Sequence, residues 1–321
     1  MTSLAAPAPA AIPALPPAAA PAAIQTIGLI KRFGSRTAVD GLDLSIGRGS
    51  TYGLIGLNGS GKSTTIRMLM GLLAPTRGRI LIDSLEMPAE RTALMGRIGY
   101  VPDRPTAYPW MRVSEIIAFS SALRPTWDAV RAASMLAHYQ LDPKQRIRKL
   151  SKGQGAKLSL LLALAHDPAI LILDEPTDGL DPVARDDFLE HVLSSVCDKP
   201  RTVLMSSHNL ADLQRIADTI GILHAGKLIV QRPTDELLAT TKRLVAVLAD
   251  PTIVPPAPPG TICTRKQGRE WTLTILGSPE SALATLRADP CVTQAELLDI
   301  TLEDIFKDII RGRQSQQEIL P

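Results

Sequence analysis

Apolar positions along this chain fall into two rhythms: short runs with strand spacing, and longer stretches repeating every three to four residues. Alternation of the two is the pattern of an α/β protein. From Gln25 the spacing is strand-like through Ile27, Leu29 and Ile30, then through Val39 to Ile46, where Leu42, Leu44 and Ile46 alternate. Thr51, Tyr52, Leu54 and Ile55 form another short strand, and residues 64–73 read as an amphipathic helix. Strands are expected at 79–82 and 98–101, separated by a helical piece around 89–95. The rhythm then changes. Ile116, Ile117, Phe119, Leu123, Val130, Ala133 and Leu136 keep helical spacing with no strand between them, so a helical insert at about 104–165 interrupts the α/β core. Residues 169–173, Ala-Ile-Leu-Ile-Leu, are an unbroken apolar run of the kind buried on both faces of a parallel sheet. A helix to about Val196 and a strand at 202–205 follow.

After Lys242 the character shifts. Residues 244–248 and 271–276 are strand-like around a Pro-rich segment at 254–260, which predicts a small α+β appendage over 241–321. It closes on a helix capped by Thr301 and Asp304, with Leu302, Ile305, Phe306, Ile309 and Ile310 on one apolar face. That face must pack on something, either its own subdomain or a second copy. At the other end, residues 1–23 are nearly all Ala and Pro, without a basic start or a clean apolar segment. They are expected to be a disordered tail, not a signal peptide.

Composition narrows the classes. The 321 residues, 45% hydrophobic, suffice for one large or two modest cores. A net charge of +3, with no dense Lys/Arg run, gives no basis for a nucleic-acid partner. Cys197, Cys263 and Cys291 are widely spaced and form no metal pattern, which implies a reducing compartment. The longest apolar runs, 160–165 and 244–249, are far shorter than the roughly 18 residues of a spanning helix, so this polypeptide is not expected to cross a membrane.

The chemistry concentrates in residues 56–63: Gly56, Leu57, Asn58, Gly59, Ser60, Gly61, Lys62 and Ser63 fit G-x-x-x-x-G-K-[ST] between a strand and a helix. Such a loop turns backbone N–H groups toward phosphate oxygens, and the following helix, from Lys62 through Thr64, adds its positive dipole end. Lys62 can reach the terminal phosphates and the Ser63 hydroxyl can ligate magnesium. Further on, Ser151 and Gln154 form a capping box for a helix running to Ala165. The apolar run at 169–173 ends in Asp174 and Glu175, at the strand end where open α/β sheets bind ligands. The strand at 202–205 leads to Ser206, Ser207 and His208, a candidate sensor of a terminal phosphate. Phe33, in the loop between the first two strands, could stack on a base.

With the phosphate loop, Leu150-Ser151-Lys152-Gly153-Gln154, Leu173-Asp174-Glu175 and Ser207-His208 in this order, the chain resembles the nucleotide-binding subunits of ABC transporters over residues 25–238. The resemblance implies a P-loop NTPase core of ABC type, with a parallel sheet, an antiparallel β subdomain and a helical insert, spanning 24–240. It also implies an ATPase that binds ATP and Mg²⁺ and works as a head-to-tail dimer, homomeric or heteromeric. A separate membrane subunit would be its partner, and the inner face of the cell membrane its cytoplasmic location. In that family Phe33 corresponds to the base-stacking aromatic, Lys62 and Ser63 to the phosphate and magnesium contacts, and Asp174 to a magnesium carboxylate. Glu175 corresponds to the residue polarising the attacking water, Asp181 to the loop linking two sites, and His208 to the switch histidine. Ser151, Lys152, Gly153 and Gln154 would meet the nucleotide held by a second copy.

Two positions depart from the family pattern. Asp103 replaces the usual glutamine after Tyr-Val-Pro, which keeps a metal-binding oxygen but loses an amide donor. Lys152 replaces a glycine and opposes the helix dipole by roughly 0.3–1 kcal/mol, unless an anion of the second copy faces it; the alternative is a lysine extended into solvent. Arg104, Tyr108, Trp110 and Arg112 concentrate aromatic and Arg residues in an aromatic-poor chain and mark a surface for the membrane subunit, with packing of Trp110 onto the insert as the alternative. The appendage, with its Leu302-Glu303-x-x-Phe306 helix, resembles that of export-type members. Two rival functions remain: an ABC ATPase without a membrane partner, and a nucleotide sensor. The first is disfavoured by a single phosphate loop without a metal module, and the second by the presence of Glu175 and His208.

Overall fold

A computed structural model describes residues 22–104 and 107–317 of the chain, with the side chains of 314–317 left aside. The expected tail therefore lies outside the described residues up to position 21, while Ala22 and Ala23 already belong to a strand. The chain divides into two compact units that meet at Gln231 and Arg232, ahead of the expected boundary at Thr241.

The first unit opens with the hairpin β1 (Ala22–Phe33) and β2 (Arg36–Gly47), which turns through Gly34 and Ser35. Next come β3 (Thr51–Ile55), α1 (Lys62–Leu69), β4 (Arg77–Ile82), β5 (Leu85–Met87), α2 (Arg91–Met95) and β6 (Ile98–Val101). The insert supplies α3 (Val113–Ala122), α4 (Ala129–His138) and α5 (Lys152–Leu164), after which β7 (Ile170–Asp174), α6 (Pro182–Asp198), β8 (Thr202–Ser207), α7 (Leu210–Ile216), β9 (Thr219–His224) and β10 (Lys227–Pro233) complete the core. A six-stranded sheet has the order β10-β9-β3-β8-β7-β6, with parallel pairing from β9 through β6. Every residue of β3, β7 and β8 is buried, as a parallel sheet covered on both faces requires. A four-stranded antiparallel sheet, β2-β1-β4-β5, shares one apolar cluster with it: Leu29, Leu42, Leu44 and Ile80 pack with Tyr52, Ile66, Ile172 and Leu204. Each such side chain contributes about 1.5–3 kcal/mol by burial.

The strand register builds the site. Ile55 pairs with Ser207, and Asp174 with Ser206, so the carboxyl ends of β3, β7 and β8 finish level. The residues just beyond them, Gly56, Glu175 and His208, emerge side by side.

Local chemistry explains where the elements differ from expectation. Helix α1 stops at Leu69 instead of running to Leu73, because Gly71 at φ +62° reverses the chain. The continuous helical spacing of the insert breaks between α3 and α4, where Pro125 disfavours helix at Arg124 and Asp128 restarts it by accepting a hydrogen bond from the Arg131 N–H at 2.9 Å. Phe33 closes β1 and is not a loop residue. Strand β5, three residues of mixed polarity, carries too short a pattern to be read.

The second unit runs through α8 (Thr234–Thr240), β11 (Thr241–Leu248), β12 (Thr261–Gln267), β13 (Glu270–Leu276), α9 (Pro279–Arg287), β14 (Val292–Asp299) and α10 (Leu302–Gln317). Its antiparallel sheet has the order β12-β13-β11-β14. One face, with Leu244, Ala246, Trp271, Leu273 and Ile275, packs on Ala282 and Leu286 of α9. Thr301 caps α10 through mutual hydrogen bonds with Asp304, and Leu302, Ile305, Phe306, Ile309 and Ile310 are all buried within the chain itself, so no second copy is needed to cover them. Among the described residues no helix is long and apolar enough to cross a membrane.

Candidate functional site

The loop between β3 and α1 is held open by glycines. A Cβ on Gly61, whose φ is +112°, would lie 2.6 Å from the Ala38 carbonyl oxygen, and one on Gly56 would lie 2.3 Å from Ser60 Oγ and 2.6 Å from the Leu223 carbonyl oxygen. Around this loop opens a cleft of about 560 Å³ lined by Phe33, Leu57, Asn58, Gly59, Gly61, Lys62, Ser63, Thr64, Asp103, Glu175 and His208. Gly56 and Ser60 form the loop's inner wall, and Ser60 Oγ is buried without a hydrogen-bond partner.

Inside the cleft the charged groups are tightly organised. Lys62 is buried, donates to the Gly56 carbonyl at 2.7 Å and pairs with Glu175 Oε1 at 3.0 Å. Glu175 follows β7 with φ +49°, a conformation uncommon for a residue with a Cβ, and its N–H donates to Ser206 Oγ at 3.0 Å. Its second oxygen meets the exposed His208, whose Nδ1 lies 2.5 Å away. Burial pushes the Glu175 carboxyl upward, but the His208 hydrogen bond and the Lys62 ammonium outweigh it, and the pKa falls below the usual glutamate range.

Asp174 is the mirror case. It is fully buried, and its Oδ1 accepts from Ser206 Oγ at 2.8 Å and Ser63 Oγ at 3.2 Å, while Oδ2 has no hydrogen-bond partner. Burial, joined by the charges of Asp103 and Glu175, holds its pKa above the usual aspartate value against those two serine bonds. Burial of Tyr100 itself, with the charges of Asp174 and Asp103, pushes its phenol up to about 12. A buried, half-satisfied carboxylate amid other acids is what a bound cation relieves. Among the described residues no cluster of three or more His, Cys, Asp or Glu could hold a metal alone. A hydroxyl and a carboxylate completed by phosphate oxygens fit magnesium, which keeps waters and takes few protein ligands.

The structure brings the phosphate loop, Phe33, Asp103, Glu175 and His208 together at this cleft, with Asp174 buried behind Ser63. Ser151, Lys152, Gly153, Gln154 and Asp181 do not line it. Both capping-box bonds form, Gln154 N–H to Ser151 Oγ at 3.1 Å and Ser151 N–H to Gln154 Oε1 at 3.0 Å. This segment lies instead against its own chain's loop before α6: Lys152 Nζ is 2.6 Å from where a Gly179 Cβ would be, and Gly153 backs onto Ala184. Asp181 is the cap of α6, accepting from the Ala184 N–H at 2.9 Å. Arg36, Ala38 and Asp178 line the cleft without having been singled out, and Arg104, expected at the surface for the membrane subunit, lines it too. A signal for Arg36 existed, since a two-residue turn makes it the strand partner of Phe33.

A family model described as ABC transporter matches residues 39–178, which include the phosphate loop, Ser151 to Gln154 and Glu175. The chain is 34% identical over 216 residues to the bacitracin transport ATP-binding protein BcrA of Bacillus licheniformis, an alignment covering 67% of this chain and 71% of that protein. The chain belongs to the ABC transporter family. It is an ATP-binding subunit of that family and an ATPase whose hydrolysis powers transport. A second relative of this ABC subunit, the Nod factor export ATP-binding protein I of Bradyrhizobium diazoefficiens, is 34% identical over 221 residues, 67% of this chain and 72% of that one. Among solved structures, an ATP-binding subunit of an ABC transporter matches with a TM-score of 0.61 and 28% identity, covering 66% of the ABC subunit and 90% of that chain. A dimeric bacterial ABC transporter cassette, at 23% identity and a TM-score of 0.61, shares the fold.

Proposed function

We propose that two copies of this ATPase bind two Mg-ATP molecules at a head-to-tail interface and drive export through a separate membrane subunit, at the inner face of the cell membrane. The observation that carries the catalytic reading is Glu175, fixed beyond β7 between Lys62 and His208 and kept ionised by both. Phe33 stacks on the base. Lys62 leaves Glu175 for the β- and γ-phosphate oxygens, and the loop N–H groups surround them. Ser63 and Asp174, with Asp103 nearby, would hold magnesium, which neutralises charge on the transferring phosphoryl group. Once Lys62 has moved, Glu175 is free to accept a hydrogen bond from the attacking water, and His208 contacts the γ-phosphate.

Ser151, Lys152, Gly153 and Gln154 lie away from their own chain's cleft, which supports their acting on the nucleotide of the second copy. There the Lys152 ammonium meets the γ-phosphate. Export is supported by the α10 segment Leu302-Glu303-x-x-Phe306. The test is steady-state hydrolysis of Mg-ATP by Glu175→Gln. A loss of about 100-fold or more with ATP binding retained is expected; a wild-type rate overturns the mechanism.

A further inference from the structure

Charged side chains reach the nucleotide cleft from several elements. Lys62 comes from the phosphate loop and is paired with Glu175, which also meets His208, and His208 in turn lies 3.8 Å from Asp178. Asp103 and Arg104 follow β6. The remaining charge is Arg36, the first residue of β2. It is exposed, and among the described residues its guanidinium takes part in no ion pair and no hydrogen bond.

The hairpin puts Arg36 there. Because β1 and β2 are joined by only Gly34 and Ser35, Phe33 and Arg36 are direct partners across the two strands, and their side chains leave the sheet on the same face. Farther along, β2 runs directly against the phosphate loop: the Ala38 carbonyl oxygen is the atom that a Gly61 Cβ would meet at 2.6 Å. Arg36 Nη2 lies 3.6 Å from where a Gly59 Cβ would be. The side chain thus reaches from the Phe33 end of the cleft to the middle of the phosphate loop. Stacking on Phe33 does not account for it. The cation over that ring is Lys31, whose Nζ is 5.2 Å from the ring centroid and donates to the Ala74 carbonyl at 2.7 Å. A guanidinium carries five N–H donors in a fixed fork that matches phosphate oxygens, and here the fork stands at the rim of a phosphate-binding loop with no acceptor of its own.

We propose that Arg36 is a nucleotide-binding residue whose guanidinium donates to the α- or β-phosphate, the part of the chain that ADP and ATP share. With the base at Phe33 and the terminal phosphate at Lys62, this is the charged portion that falls in the interval Arg36 spans. The inference rests on the reading of Phe33 as the base platform, and its test separates the two. Dissociation constants of ADP and of the non-hydrolysable analogue AMP-PNP are measured by titration calorimetry on the full chain, as wild type, Arg36→Gln, Arg36→Lys and Phe33→Ala.

Arg36→Gln is expected to weaken both nucleotides by the same factor, about tenfold, with the urea midpoint unchanged. The factor should shrink as ionic strength rises, because the pair is exposed to solvent. Arg36→Lys keeps the charge but not the fork, and should recover part of the affinity. Unchanged affinities in Arg36→Gln overturn the proposal and leave a solvated arginine at the rim. A loss confined to AMP-PNP also overturns it, since the contact would then be to the γ-phosphate. If Phe33→Ala binds ADP as the wild type does while Arg36→Gln binds it weakly, the base-platform reading fails and the phosphate contact of Arg36 is upheld.

Discussion

Glu175 and Asp174 are adjacent in sequence and opposite in environment. Glu175 leaves the strand at positive φ toward Lys62 and His208 and is held ionised; Asp174 stays in the sheet, buried among acids and serines, with one oxygen unpartnered. That two carboxylates stand at a ligand-binding strand end was legible from the apolar run that ends in them; their proposed catalytic and metal roles come from the family resemblance. Which of the two would be pushed up and which down was not, because that depends on Lys62, Ser206 and His208, which arrive from other strands. A second titrating group was invisible in the sequence. His166 is buried, with Nε2 3.1 Å from the Ile98 carbonyl oxygen and Arg124 Nη1 against the ring, 2.5 Å from Nδ1 and 2.6 Å from Nε2. Burial and the Arg124 charge lower its pKa to about 4. A histidine with a depressed folded-state pKa binds its proton more readily when unfolded. Stability is therefore complete above about pH 6.5, declines as pH falls toward 4, and levels off below that, by up to about 3 kcal/mol. Urea melts from pH 7 to 4 should show this loss in the wild type and a smaller one in His166→Asn.

At the scale of elements, the strands and helices that carry chemistry were the most readable ones, since β3, β7 and α5 combine apolar runs with turn or cap residues. The stretch from α7 to α8 gave no comparable pattern, nor did the short strand β5. The segment before α3 also gains meaning from structure. Tyr108 and Trp110 pack with ring centroids 5.0 Å apart, and Tyr108 meets Phe119 edge-on at 6.2 Å, yet Trp110 is 65% exposed. Packing of Trp110 onto the insert, the alternative reading, does not describe so open a ring. Exposed aromatics preassembled in one patch fit a protein partner. Trp110→Ala should change folding stability by no more than about 0.5 kcal/mol. The same variant should lose capture by the membrane subunit in a pull-down, and retained capture counts against this surface.

The molecule as a whole was readable as two units because composition and rhythm change near residue 240, although the compact second unit starts at Arg232, where α8 leads directly into β11. Most of the candidate nucleotide site could be read from the sequence, and the structure shows which of its proposed residues stand apart. Everything expected from the phosphate loop, β7 and β8 converges in one cleft, whereas Ser151 to Gln154 stand outside it. On the proposed reading, a single copy would hold the nucleotide and the water-polarising carboxylate without the segment proposed to close over the γ-phosphate. The central claim is that hydrolysis needs two copies, and it is tested by the ATPase rate per chain as a function of chain concentration at saturating Mg-ATP. The account predicts a rate per chain that rises with concentration to a plateau and is lost at all concentrations in Glu175→Gln. A wild-type rate per chain that stays constant down to concentrations where sedimentation shows only monomer would contradict it.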